Sequence, residues 1–246
     1  MKKLLFLPLL LGLSINLSQA QTTPQQMLET ADKYRLSSDN MQVSTTIKLY
    51  KNDKKMNQKE YMVFIKPERK SLVLFLNPTE KGQKVLMLQN KFWMLMPKSR
   101  RPIRITPLQK LLGEASTGDI ATMQYADDYN AKLEKTDDKN HILWLEAKDG
   151  VEGLTYKNIR LFLSIDKFAP TQAEFYVSSG KLAKTAEFIT GKLDGTESES
   201  VVKMTLKDKI NKNRYTEVIY NSRKDFVLSN KFYNPAYLVK NPQINY

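Results

Sequence analysis

The sequence predicts a mainly β fold with a few helices: a large antiparallel sheet of about 11–12 strands that curls or closes, as sheets of that size do. Two-residue alternation of apolar and polar side chains recurs along most of the chain, short polar turns separate these stretches, and helical spacing is confined to three places. The pattern is that of an antiparallel meander.

The first helix starts at Thr23-Pro24-Gln25-Gln26-Met27-Leu28, with Pro24 in its first turn and Met27, Leu28, Ala31 and Tyr34 at helical spacing. From Met41 the period drops to two. Met41, Val43, Thr45, Ile47 and Leu49 share one face of a half-buried strand. The alternation returns at Ile159-Leu161-Leu163-Ile165, Ala173-Phe175-Val177, Ala186-Phe188 and Val202-Met204-Leu206, with turns at Ser179-Gly180 and Asp194-Gly195. Further strands are expected over 60–66, 71–76, 84–88, 91–96, 129–135, 141–147 and 214–221.

Three of these segments are apolar on both faces: Tyr61-Met62-Val63-Phe64-Ile65, Leu72-Val73-Leu74-Phe75-Leu76 and Phe92-Trp93-Met94-Leu95-Met96. A sheet with one solvated face would alternate there, so something covers the second face: the protein's own helices, a bound apolar ligand, or both. Residues 97–128 interrupt the meander. Pro107 is expected to begin a short helix carrying Leu108, Leu111 and Leu112, which Gly113 stops, and Asp119 to cap a second one carrying Ile120 and Met123. Helical patterning also returns in the last twenty residues.

The N-terminus has the form of a secretory signal, with Lys2 and Lys3, an apolar run from Leu4 to Leu13, and Ser18-Gln19-Ala20 before the expected cleavage. The division is therefore 1–20 as signal peptide and 21–246 as one domain. The apolar run is short for a membrane span. With no cysteine in the chain, disulfides, thiolate metal sites and the usual lipid anchor of an exported lipoprotein are not expected. The formal net charge is +13. In an exported protein this favours anionic lipid headgroups or acidic protein surfaces over nucleic acid.

The motifs of common catalytic centres are missing. His141 is the single histidine, and there is no G-x-S-x-G, H-E-x-x-H or glycine-rich phosphate loop. The pairs Asp127-Asp128 and Asp137-Asp138 occupy neighbouring positions that diverge in direction, unlike a glycosidase couple. Binding rather than catalysis is expected, with no cofactor and no metal. A membrane barrel is disfavoured by short strands and by Pro242 near the C-terminus.

The stretches LFLNPTEKGQKVLML over 74–88 and FWMLMPKSRRPIRITPLQKLLGEASTGDIATMQYADDY over 92–129 resemble the core of the outer-membrane lipoprotein-sorting-like proteins, a divergent branch of the LolA-like family. The resemblance spans the mature chain. It implies an open half-barrel covered by short helices, a periplasmic location, and a carrier of lipid or acylated protein linked to an inner-membrane transporter. The groove and cover residues expected to meet an acyl chain are Phe64, Leu74, Leu86, Trp93, Leu95, Leu108, Leu111, Leu112, Ile120 and Met123. Arg100, Arg101 and Arg104, beside Lys98, would dock a headgroup or a partner. The protein is expected to be a monomer. The alternative expectation is a protein-binding or regulatory module of the same fold that transfers no lipid.

Overall fold

The structure, a computed structural model, describes residues 22–36, 38–122, 124–193, 196–209, 213–241 and 243–244. The signal sequence, Met123, Asp194, Gly195 and Pro242 lie outside the described residues.

Helix α1 (Pro24–Lys33) opens on a capping box: Thr23 Oγ1 accepts from Gln26 N, and Gln26 Oε1 accepts from Thr23 N. Its apolar stripe buries Met27, Leu28 and Ala31. Five strands follow as hairpins: β1 (Met41–Lys51), β2 (Lys54–Lys66), β3 (Lys70–Phe75), β4 (Lys84–Leu88) and β5 (Lys91–Leu95), with the short β6 (Ile103–Ile105) at their edge. Asn52 and Asp53, both in the left-handed region, make the two-residue turn between β1 and β2. Next come a small hairpin, β7 (Lys110–Leu112) and β8 (Ala115–Ser116), and helix α2 (Thr117–Ala121). The second meander is β9 (Tyr129–Thr136), β10 (Asn140–Ala147), β11 (Asn158–Ser164), β12 (Pro170–Tyr176), β13 (Leu182–Gly191), β14 (Ser200–Asp208) and β15 (Arg214–Asp225). A 3-10 turn at Asn230–Tyr233 and helix α3 (Pro235–Lys240) complete the chain.

Thirteen strands form one antiparallel sheet in the order β6-β5-β4-β3-β2-β1-β15-β14-β13-β12-β11-β10-β9, open at β6 and β9. Two meanders are thus joined by a single pairing, β1 with β15. The sheet curls. Thr122, just after α2, lies 3.8 Å from Met87 Sδ on β4, while Asp119 within α2 lies 2.5 Å from Lys184 Nζ on β13. In a flat sheet β4 and β13, six positions apart, would be about 29 Å from each other. A five-residue helix is only about 7.5 Å long. The face it touches is therefore the inside of the curve.

That inner face carries the larger apolar cluster, from Val63, Val73, Val85 and Phe92 across to Leu143, Leu161, Phe175 and Met204, closed over by α1, the β7–β8 hairpin and α2. The outer faces of β2 to β5 carry a second cluster: Phe64, Leu72, Leu74, Leu86 and Leu95, under Leu228, Tyr233 and Leu238 of the C-terminal segment. This accounts for the strands that are apolar on both sides. Over β10 and β11 the outer face is polar instead, with Arg160 paired to Glu134 and Glu174 beside Trp144.

Two sequence expectations are corrected here. Residues 108–112 form no helix: Pro107 O, which a helix would bond to residue 111, accepts from Gly118 N at 2.9 Å, and Leu111 and Leu112 are buried in the hairpin. A short Leu-Gln-Lys-Leu-Leu run fits either period, and tertiary burial decides it. Asp119 is not the cap of the following helix. Ser116 is, with Asp119 three positions on completing a capping box. The large sheet has thirteen strands against the expected 11–12, since β6 is too short to show alternation, and β7 and β8 pair apart from it.

Candidate functional site

The inner face is closed by short pieces of structure tied down at a few polar points. Asp32 on α1 accepts from the backbone N–H groups of Tyr125 and Ala126, both at 2.7 Å. Arg35 donates to Thr122 O at 3.1 Å and lies over the Tyr125 ring at 4.1 Å. Gln25 clasps the same segment through Ala126 O and Ala131 N. Asp32 Oδ1 and Arg35 Nη1 are buried without a hydrogen-bond partner. Burial raises the Asp32 carboxyl from 3.8 to about 6, against the pull of the backbone donors and Arg35.

At the other end of the cover, Asp119 receives Lys184 Nζ at 2.5 Å, Tyr156 Oη at 2.7 Å, and the N–H and hydroxyl of Ser116 at 2.7 Å each. Lys184 also donates to Glu114 O at 2.7 Å. Burial would raise the Asp119 carboxyl, but Lys184 and these donors hold it below its usual range. The contact is a buried ion pair between sheet and cover. The turn of the hairpin presses on the sheet as well: Glu114 N donates to Thr216 Oγ1 at 2.9 Å, and Gly113, at φ +55°, leaves no room for a Cβ, which would come within 2.2 Å of that oxygen.

An open, largely polar cleft of about 720 Å³ lies beside α1 between Gln25, Asp32, Ala126 and Lys148, but the cavities beneath α2 are small. One beneath α2, lined by Arg69, Tyr125, Tyr129 and Tyr156, measures about 20 Å³. Another, between Met87, Ala121 and Asp128, measures about 30 Å³. Each has room for no more than a water or two. Admitting an acyl chain to this face requires the cover to move. On the outer face, a far larger groove of about 830 Å³ runs between α3 and the loop after β5.

A family model described as that of an uncharacterized protein matches residues 67–240. No curated protein matches. Among solved structures, a LolA superfamily protein from Nitrosomonas europaea is 30% identical, with 88% of this chain and 99% of that chain covered and a TM-score of 0.77. This chain belongs to the LolA superfamily. The same fold is seen in an outer membrane lipoprotein-sorting protein domain from Vibrio parahaemolyticus, 20% identical over 86% of this chain and 97% of that one, TM-score 0.64. A DUF1329 family protein from Desulfovibrio piger shares it too, 18% identical over 87% and 98%, TM-score 0.65.

In this LolA superfamily member the residues expected to share one groove fall on opposite sides of the sheet. Leu111, Leu112 and Ile120 belong to the inner cluster. Phe64, Leu74, Leu86 and Leu95 belong to the outer one, with Trp93 packed against it. Leu108 is exposed. Side-chain alternation makes this split inevitable, since the inner neighbours of Phe64, Leu74 and Leu86 are Val63, Ile65, Val73, Val85 and Met87. Arg100 and Arg101 border the outer groove, together with Leu95. Arg104 stacks on Trp93 at 4.7 Å, across the β5–β6 pair. His141 bonds Thr136, at 2.9 Å.

The residues that pin the cover, Asp32, Arg35, Lys184 and Arg223, are not among those the sequence motifs single out. Arg223 donates to Tyr34 O at 3.0 Å and Val201 O at 2.7 Å. For two of them the signal was present. Lys184 shares its strand face with Ala186 and Phe188, and Asp32 follows Leu28 by four residues on the buried stripe. Among the described residues, no group of three His, Cys, Asp or Glu side chains could hold a metal ion. No described helix is long and apolar enough to cross a membrane.

Proposed function

We propose that this protein is a periplasmic carrier that binds an acyl chain, free or on a lipidated protein, against the inner face of its curved sheet. It is exported with cleavage after Ala20, works as a single-domain monomer over 21–246, catalyses no reaction, and exchanges its cargo with an inner-membrane transporter. The observation that carries this reading is the construction of the cover. A wide apolar face is closed by a ten-residue helix, a small hairpin and a five-residue helix, three short separate pieces that each bury a few apolar side chains and are pinned by a handful of polar contacts. Burying an acyl chain gains roughly 0.8 kcal/mol per CH₂, so about 10 kcal/mol for a chain of about 14 carbons. Each cover hydrogen bond given up costs about 1 kcal/mol. The chain wins.

A second reading, a protein-binding module of the same fold, draws on the tight packing beneath α2, where the two cavities measure about 20 and 30 Å³. One experiment separates the two. The protein is purified without detergent from bacteria that export it, extracted and analysed by mass spectrometry, and then offered a photoreactive fatty acid. The carrier reading expects near-stoichiometric acyl lipid and labelling of peptides spanning 24–36 and 107–128. An empty extract with no labelling there leaves the protein-binding module.

A further inference from the structure

The outer groove is a built feature. One wall is the loop 96–102, bracketed by Pro97 and Pro102 and folded by Ser99, whose hydroxyl accepts from Arg101 N at 3.3 Å and donates to Arg101 O at 2.7 Å. The facing wall is α3, fixed by Asn234 Oδ1, which accepts from Ala236 N and Tyr237 N. Leu95 and Leu238 lie buried at its base in the outer cluster. Around this apolar trough stand Lys98, Arg100, Arg101 and Lys240, all exposed. None of the four has an ion-pair partner among the described residues, and no carboxylate lines the groove. A volume of about 830 Å³ is that of a small-molecule site.

We infer that this groove is a second binding site, for an anionic amphiphile of the phospholipid type. The chain lies in the trough between Leu95, Pro97 and Val239, and the phosphate meets Arg100 and Arg101, with Lys98 and Lys240 flanking. Guanidinium groups suit a phosphate through paired N–H donors. The apolar walls account for the chain, which a site for free phosphate would not need. The sheet separates this groove from the inner face, so the site stands whether or not the inner face carries cargo.

The test titrates the protein with myristoyl lysophosphatidylglycerol below its micelle concentration, and with the lysophosphatidylcholine of the same chain length. Saturable binding is expected, with the anionic lipid favoured by about tenfold. Arg100→Gln together with Arg101→Gln should abolish the preference without unfolding this exposed loop, and Ala236→Trp should weaken both lipids by filling the trough. A photoreactive version of the lipid should label peptides spanning 95–102 and 234–240. Equal affinity for the two lipids, an unchanged preference in the double variant, or glycerol phosphate binding as tightly as the lysolipid would overturn the proposal. So would labelling confined to 24–36 and 107–128, which would assign the lipid to the inner face alone.

Discussion

Asp32 is a carboxyl placed where a carboxyl is costly. With its pKa raised by burial from 3.8 to about 6, the folded state holds the proton more tightly than the unfolded chain between those values. Stability from this residue is therefore greatest in acid, falls as pH rises from about 4 to about 6, and stays lower above that. Asparagine removes the titration. The stability of wild type relative to Asp32→Asn, from urea unfolding across that range, should fall by up to about 3 kcal/mol as pH rises; parallel curves would mean the carboxyl titrates normally. At neutral pH an ionised Asp32 with one unpartnered oxygen lowers the work of lifting the segment it holds. The Asp119–Lys184 pair has the opposite character. Lys184→Met strands a carboxylate that is 3% exposed, and should cost about 3–5 kcal/mol in the same measurement.

The cover and the C-terminal segment play different parts as elements. Gly113→Ala sets a Cβ against Thr216 and Leu49 in a backbone conformation that alanine adopts with strain. It should destabilise the hairpin by about 1–3 kcal/mol. Hydrogen exchange should quicken at amides 107–122 while those of β10 to β12 stay protected. If the hairpin is part of the gate, fatty-acid uptake quickens too. The C-terminal segment is a strap over Phe64, Leu72 and Leu86. Leu238→Ala, at a side chain 1% exposed, should cost about 2–4 kcal/mol by urea unfolding and splay the outer groove. A loss below about 0.5 kcal/mol would mean that the strap is not seated as described.

At the scale of the molecule, the sheet was legible in the sequence because alternation reports which strands are half-buried, and their strict repetition reports a meander. The curl was legible only in outline, since it depends on contacts such as Asp119 of α2 with Lys184 of β13, which join elements far apart in the chain. The candidate site was half legible: the basic loop and the cover segment could be picked out, but assigning Phe64 and Leu111 to one groove ignored the face each occupies. Arg223 shows a deeper limit. The register of β1 against β15 slips between Thr45, opposite Tyr220, and Ser44, opposite Ser222. That extra residue turns the next side chains over and brings Arg223 to the buried side, where plain alternation from Val218 and Tyr220 would have put it outside.

The junction of β1 with β15 also sets an order of events in folding. Every other strand pair in the large sheet joins sequence neighbours, but Met41 meets Asp225. Each meander can zip up locally, whereas the seam waits for both and carries the loop-closure cost of nearly the whole chain. Until β15 arrives, β1 presents a long open edge with one apolar face, the kind that recruits a strand from another molecule. Export with the N-terminus leading, as proposed above, would take the chain through that state each time. Refolding from urea should show fast hairpin protection followed by a slower step that protects β1 and β15 together, and misassembly that rises with protein concentration only before that step is complete.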